Sequence, residues 1–409
     1  MSWALVWVAA TLLAVAAVSR RLSGTPVTAP MVFVVVGVLI GPRVAGGVDP
    51  EPAGETVRTL AEATLAVVLF SDASRIDLAT LRRESAVPLR LLGIGLPLTI
   101  ALGALIAGAL FGELTVAEAL VLAVVLAPTD AALGQAVVTE PRLPSRVRQS
   151  LNVESGLNDG ICVPLLFIVL ASAEVEAGVA NHPALTIIAE EIGYGIVGGV
   201  AAGLVSGAIV VLAGRRGLIT ASWLQVVPVA AAALAYGVAA ALGGSGFIAA
   251  FLAGGIFGGI ARREADEAGR LSEEIGSLLD GVTFVVFGAV LLGPALSHLS
   301  WKIALYAALS LTVVRLLPVA IAMRGTGARA STVAFVGWFG PRGLASIVFA
   351  VIVVQESALP HTGTILVATY ATVGLSVLLH GLSAAPLARR YARWHESHPP
   401  AMESAAAGD

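Results

Sequence analysis

Apolar residues run along this chain in long stretches, and polar or charged residues cluster in the short breaks between them. Most runs reach about 17 residues or more, the length a helix needs to cross the hydrocarbon of a bilayer. Thirteen candidate spans follow, at approximately 3–18, 27–42, 57–73, 88–111, 115–138, 149–172, 192–213, 221–242, 245–260, 275–295, 303–323, 329–354 and 362–387. The pattern predicts an all-α polytopic membrane protein of about thirteen transmembrane helices.

Basic residues orient such a chain, because Lys and Arg are retained on the cytoplasmic side. One alternate set of connections, with the C-terminal segment, holds Arg20, Arg21, Arg75, Arg82, Arg83, Arg142, Arg146, Arg148, Arg215, Arg216, Arg262, Arg263, Arg270, Arg324, Arg329, Arg389, Arg390 and Arg393. The other set holds only Arg43, Arg58 and Lys302. The strict alternation places the N-terminus outside and the C-terminal tail in the cytoplasm, in the inner (cytoplasmic) membrane. The first run, Trp3 to Val18, has no basic residue before it and Arg20 and Arg21 after it, so it reads as a retained span and not a secretory signal.

Composition agrees. Of 409 residues 57% are hydrophobic and 12% charged, about half the charge of a soluble domain. The single cysteine, Cys162, excludes an internal disulfide or a CxxC metal site. Of the six histidines, five fall in loops, tail or span ends with no H-x-x-x-H pair, so no transition-metal site is expected. The chain has no G-x-x-x-x-G-K-[ST] loop to cradle ATP, so either work comes from an ion gradient or the protein is passive. No cofactor and no nucleic-acid partner are called for. The polar segment after Arg393 predicts a short tail without a regulatory domain.

An internal repeat is visible. Ala127-Pro-Thr-Asp-Ala-Ala-Leu133 lies 213 residues before Gly340-Pro-Arg-Gly-Leu-Ala-Ser346, each inside a long span. At nearly the same offset Pro30, Gly37 and Gly41 of the second span match Ser245, Gly254 and Gly258 of the ninth. Seven spans separate the copies, an odd number, so the two six-helix halves are expected to be inverted, with broken helices crossing at the midplane. Broken helices at matching positions are a pointer to a transporter's midplane site.

Candidate chemistry gathers there. Pro128 removes a backbone donor, so Thr129 and Asp130 sit at a helix break whose freed carbonyls can bind a cation. An intramembrane Asp costs about 2.5–3.5 kcal/mol by insertion scales and asks for a partner or a function. The bland reading makes Asp130 the cap of the half-helix after Pro128. Span six carries Asn152, Glu154, Ser155, Asn158 and Asp159. Ser155 and Asp159 are i and i+4, on one helical face, and offer hard oxygen ligands to an alkali cation. The Asp159 carboxylate can hold a proton instead. Arg342, after Pro341, needs a buried acid, and Glu154 is the expected partner in a structural clamp; the alternative is that Arg342 holds a substrate anion. Asp72 reads first as an interfacial pair with Arg75 and second as a cytoplasmic funnel for cations. Arg315, before Pro318, is expected to hold helices together. Glu62, Glu190 and Glu191 read as solvated or interfacial, and Cys162 as a small packing residue.

The sequence resembles the monovalent cation:proton antiporter-1 family, the sodium/proton exchangers. The resemblance rests on Thr129-Asp130, on Glu154-Ser155-x-x-Asn158-Asp159, on Leu69-Phe-Ser-Asp-Ala-Ser-Arg-Ile-Asp77 and on Gly340-Pro-Arg-Gly343. It implies that Asp159, Ser155, Asp130 and Thr129 ligate the ion, with Glu154, Asn158, Arg342 and Pro128 supporting the site. It also implies an ion-transport domain in two halves, residues 88–173 and 301–388. Scaffold and dimerisation helices would occupy 1–87 and 174–300, a short tail 389–409, and the protein would be a homodimer serving pH homeostasis. Asn158 beside Asp159, instead of a second Asp, is similar to the electroneutral branch. Asp72 stands where many relatives have Glu-Gly-Gly in place of Ser-Asp-Ala, which leaves that position open.

The expected function is exchange of a monovalent cation, Na⁺ first with K⁺ or Li⁺ as alternatives, for a proton. Gly156-Leu-Asn-Asp159 is also similar to the G-x-G-D sequence of intramembrane aspartyl proteases, but position 158 is Asn and no Tyr precedes Asp130. A sodium-coupled symporter or passive channel is the other alternative; only an exchanger releases protons when cation is added.

Overall fold

The computed structural model describes residues 2–22, 25–42, 53–75, 86–130, 133, 134, 137, 140–179 and 184–397. Arg43, Ile76, Asp77, Arg82, Arg83, Ala131, Ala132 and the tail beyond 397, all used in the sequence reading, lie outside them, as do the side chains of Arg58, Arg263 and Arg270. The described residues form helices and connections, with no strand among them.

We number the helices α1 (Ser2–Leu22), α2 (Ala29–Ile40), α3 (Ala53–Ser74), α4 (Ala86–Leu110), α5 (Val116–Val125), α6 (Ser145–Ala177) and α7 (Ala184–Arg215). They continue as α8 (Ala221–Ala241), α9 (Gly246–Ile260), α10 (Arg262–Val286), α11 (Trp301–Ala322), α12 (Ala330–Trp338), α13 (Leu344–Glu356) and α14 (Thr362–Glu396). Each apolar run read from the sequence contains a helix. Eight helices are long and apolar enough to cross a membrane among the described residues, and α2, α5, α9 and α13 are shorter apolar helices. The protein is a multi-pass membrane protein.

Local sequence explains where the helices stop and bend. Thr115 and Glu118 form a reciprocal capping box that starts α5. Helix α5 ends at Val125, before Pro128, and the chain stays non-helical through Asp130. Phe339 to Gly343 is likewise non-helical around Pro341 and separates α12 from α13. Helix α4 widens into a π turn at Leu91–Gly95 ahead of Pro97, and α10 passes into one at Phe287–Leu292 ahead of Pro294. In α11 the ladder is interrupted at Thr312, whose hydroxyl bonds back to the Ala308 carbonyl at 2.6 Å.

Packing falls into two neighbourhoods. Helices α3, α7, α8, α9 and α10 pack together, with α2 against α10. Gly254 and Gly258 let α9 approach the backbone of α3 at Phe70 and Ser74 so closely that a Cβ at either would collide. Helices α4, α5 and α6 pack in sequence, α11 meets α4 and α12, and α14 runs along α11 and α13. The neighbourhoods meet where α7, α3 and α9 pack against α6, and where α3 crosses α13. Helix α10 begins well before the expected 275 boundary with three polar turns, and α14 runs past the expected 387.

Candidate ion-binding site

The two broken segments cross in contact. The Asp130 amide donates to the Pro341 carbonyl at 2.8 Å, joining break to break. The Asp130 Oδ2 accepts from the Leu344 amide at 3.0 Å, and Oδ1 from the Leu133 amide at 3.4 Å. Asp130 therefore caps α13, a helix more than 200 residues away, in addition to making the i+3 bond of the local cap that the sequence offered. Its negative charge meets the positive end of that helix. Gly343 makes the approach possible, since a Cβ there would collide with the Asp130 carboxylate.

Opposite ends receive opposite charge. The fully buried Arg342 guanidinium donates from Nη1 to the carbonyls of Gly340 at 3.2 Å, Ala127 at 3.4 Å and Pro128 at 3.5 Å. These oxygens follow the C-terminal ends of α5 and α12, where carbonyls lack helical partners. Pro128 thus supplies both the break and one oxygen to the arginine. The Arg342 Nε and Nη2 have no hydrogen-bond partner among the described residues.

Helix α6 holds the first break in place. Ser155 Oγ donates to the Thr129 carbonyl at 2.5 Å. Asn158 Nδ2 donates to Thr129 Oγ1 at 2.7 Å, and its Oδ1 accepts from the Thr129 amide at 3.3 Å. All three residues are buried, so each bond replaces one that water cannot supply. Thr129, Asp130 and Ser155 line one small cavity of about a water molecule's size, together with Leu151, Phe339 and Pro341.

Asp159 does not line that cavity. It is 7% exposed, and its Oδ1 is sealed from solvent without a hydrogen-bond partner among the described residues. The negative charges of Asp130 and Asp72 both act on it. Asp72 lies against Gly156, one turn before Asp159, where a Cβ would stand 3.4 Å from the aspartate's own Cβ. The structure thus brings Asp72, which the sequence set at the membrane edge beside Arg75, to the helix that carries Asp159.

The expected partner of Glu154 is corrected. Arg315, not Arg342, holds the Glu154 carboxylate, with Nη1 to Oε1 at 2.5 Å and Nη2 to Oε2 at 2.8 Å, both side chains buried. The fork matches the carboxylate in a way a distant point charge does not. The interruption of α11 at Thr312 precedes Arg315, and Gly340 leaves the guanidinium its room, since a Cβ there would overlap it. Glu62 is likewise engaged, accepting from Tyr236 Oη at 2.8 Å.

Two residues of the site region escaped the sequence reading. His380 lies on α14, with Nε2 2.9 Å from the Trp338 carbonyl and Nδ1 3.2 Å from Ser376 Oγ, which in turn accepts the Arg342 amide at 2.7 Å. Nδ1 also lies 3.0 Å from the Ser376 carbonyl, so each ring nitrogen faces a backbone oxygen, and the imidazole ties the end of α12 to α14. Asp280, on α10, has a sealed Oδ1 without a hydrogen-bond partner among the described residues. Both were legible as polar residues inside expected spans.

Two broken helices cross within a bundle of membrane helices, with a carboxylate and a guanidinium capping opposite helix ends at the crossing, the architecture of a membrane-transporter fold. The chain belongs to the sodium/hydrogen exchanger family, whose transmembrane region matches residues 8–390. It is 30% identical over 349 residues to the Na⁺/H⁺ antiporter NhaP of Pseudomonas aeruginosa, covering 80% of this chain and 79% of that one. It is 26% identical over 378 residues to the K⁺/H⁺ antiporter NhaP of Alkalimonas amylolytica, covering 91% of this chain and spanning 63% of that relative's length. The structure of the sodium proton antiporter MjNhaP1 from Methanocaldococcus jannaschii superposes with a TM-score of 0.77 at 19% identity, over 92% of this chain and 98% of the other, which establishes the fold. Membership in a transporter family sets aside the protease reading.

Proposed function

We propose that this chain exchanges a monovalent cation for a proton across the cytoplasmic membrane, with Na⁺ the first candidate and K⁺ or Li⁺ the alternatives. The observation that carries the reading is Asp159: a buried carboxylate with a sealed, unpartnered oxygen, one face of a helix away from a break held open by Thr129 and Asp130. Such a group takes a proton or a desolvated cation, not both. Ser155, Thr129 and Asp130 supply the further oxygens, the buried Asn158 and Arg342 hold the broken backbone around them, and Glu154 ties α6 to α11 through Arg315. The names of the bacterial relatives support cation/proton antiport and include both K⁺ and Na⁺.

Coupling in this reading is competition for one site. The helices of residues 88–173 and 301–388 move as a transport unit against those of 1–87 and 174–300, and two copies of the chain assemble through the latter. The arginine-rich connections face the cytoplasm, and the exchange is electroneutral, one cation for one proton.

The test is reconstitution in liposomes with a pH-sensitive dye, adding NaCl, KCl and LiCl in turn. Proton release on addition of at least one salt, lost in Asp159→Asn, is expected. A variant that keeps a tenth or more of wild-type exchange removes Asp159 from the central role.

A further inference from the structure

Asp280 is a partly buried carboxylate, one oxygen sealed from solvent, that this reading leaves without work. It stands on the inward face of α10: Gly276, Thr283 and Phe284, at i−4, i+3 and i+4, are all buried, while Leu278 on another face is 53% exposed. Its depth follows from contacts with α3. Thr283 Oγ1 lies 3.4 Å from Thr64 Oγ1, and Gly276 sits beside Val68, its Cβ position 3.8 Å from the valine Cγ2. Asp280, between Gly276 and Thr283, is therefore level with the Thr64–Val68 stretch.

Asp159 reaches the same level by an independent route. Helix α9 runs parallel to α3, with Gly254 on Phe70 and Gly258 on Ser74, so Phe251 is level with Val67. The Phe251 ring packs on Gly160, the neighbour of Asp159. Asp72, against Gly156, lies about one turn nearer the arginine-rich end. Asp280 and Asp159 thus share one depth, and they share the same two charged neighbours, Asp72 and Asp130. Each also has a sealed oxygen without a hydrogen-bond partner among the described residues, and Asp159 is more than nine-tenths buried.

We propose that Asp280 is a further cation-binding carboxylate, a station on α10 that the transported monovalent cation meets on its way between the cytoplasm and Asp159. The two carboxylates belong to packing neighbourhoods that move against each other in the antiport reading, on which this inference rests. They are level at one end of the stroke only. A fixed charge at that level raises cation affinity from one membrane face, and Asp72, on the arginine-rich side, makes that face the cytoplasmic one.

The experiment measures the cation KM of exchange from each face, in everted and right-side-out vesicles, with NaCl and KCl. Asp280→Asn is expected to raise KM from the cytoplasmic face roughly tenfold, the order expected for removing one charge about 10 Å away at an effective dielectric constant of about 20, and to leave the other face unchanged. Asp280→Glu should restore it. Should Asp280→Asn not assemble, Asp280→Cys in a Cys162→Ala background replaces it: a sulfonate-bearing thiol reagent should lower the cytoplasmic KM and an ammonium-bearing one raise it. An unchanged KM, an equal change on both faces, or a shifted pH profile at constant KM overturns the proposal. Wild type that exchanges no cation for protons fails the antiport reading itself. Wild-type exchange abolished by Asp159→Asn, with Asp280→Asn indistinguishable from wild type, fails only this inference.

Discussion

Glu154 and Arg315 form a two-pronged ion pair, at 2.5 and 2.8 Å, that ties α6 to the interrupted α11 behind the crossing. Removing one member leaves the other charged and buried, which costs about 3–5 kcal/mol, whereas removing both leaves a gap without an orphaned charge. Glu154→Gln and Arg315→Met should each lower the thermal midpoint strongly in detergent, and the double replacement should recover part of the loss. Equal stability of Glu154→Gln and wild type would sink the pairing. Arg342, whose contacts are carbonyl oxygens, should not be rescued by any change at Glu154.

Asp130 plays a part that its neutral amide can mimic and one that it cannot. As the cap of α13 it accepts from the Leu344 amide, and an Asn oxygen accepts as well. Asp130→Asn is therefore expected to stay folded and lose exchange, while Asp130→Ala loses exchange and about 1 kcal/mol of stability besides. Thermal unfolding of the two variants side by side decides it. If they melt together, the cap contributes nothing.

Ser155 and Asn158 both grip Thr129, but they differ in what they leave behind. Asn158→Ala orphans a buried amide and a buried hydroxyl, at about 1–3 kcal/mol for each unsatisfied group. Ser155→Ala removes one donor from a carbonyl that Asn158 still helps to position, so its main effect should be a raised cation KM. Transport kinetics and melting of the pair separate the roles. Unchanged stability of Asn158→Ala would mean that Thr129 finds other partners.

What the sequence disclosed and withheld follows from the range of each interaction. Pro128 breaking a helix, or Asp159 lying deep in an apolar run, is a local fact, and both were legible. The face shared by Ser155 and Asp159 was legible from helical geometry alone. Partner choice was not. The sequence pairs Glu154 with Arg342 and names no partner for Arg315, whereas the interruption of α11 and the space at Gly340 bring Arg315 to Glu154. Asp130 capping α13 depends on how two breaks cross, which no single segment encodes. Asp280 was missed for a different reason: it stands inside an expected span and calls for the same question that Asp130 received.

Competition at a single acid makes the last prediction. Asn158, next to Asp159, is spent on Thr129, so no second carboxylate stands at that turn to hold a proton while a cation is bound. Cation and proton then displace one another. Below the pH at which the site protonates, apparent cation affinity should weaken about tenfold per pH unit, the arithmetic of one competing proton. One positive charge moves each way, so a membrane potential of 100 mV, worth about 2.3 kcal/mol per net charge moved, should leave the equilibrium ion ratio where it was. Proteoliposomes clamped with potassium and valinomycin, with Na⁺ as the exchanged ion and K⁺ shown not to be carried, measure the null point at which flux stops. A null point that shifts with the imposed voltage means that a second proton travels with each cycle, and Asp130 and Asp72, whose charges act on Asp159, become the residues to neutralise in turn, followed by Asp280, on which the same two charges act, with Glu154 held by Arg315.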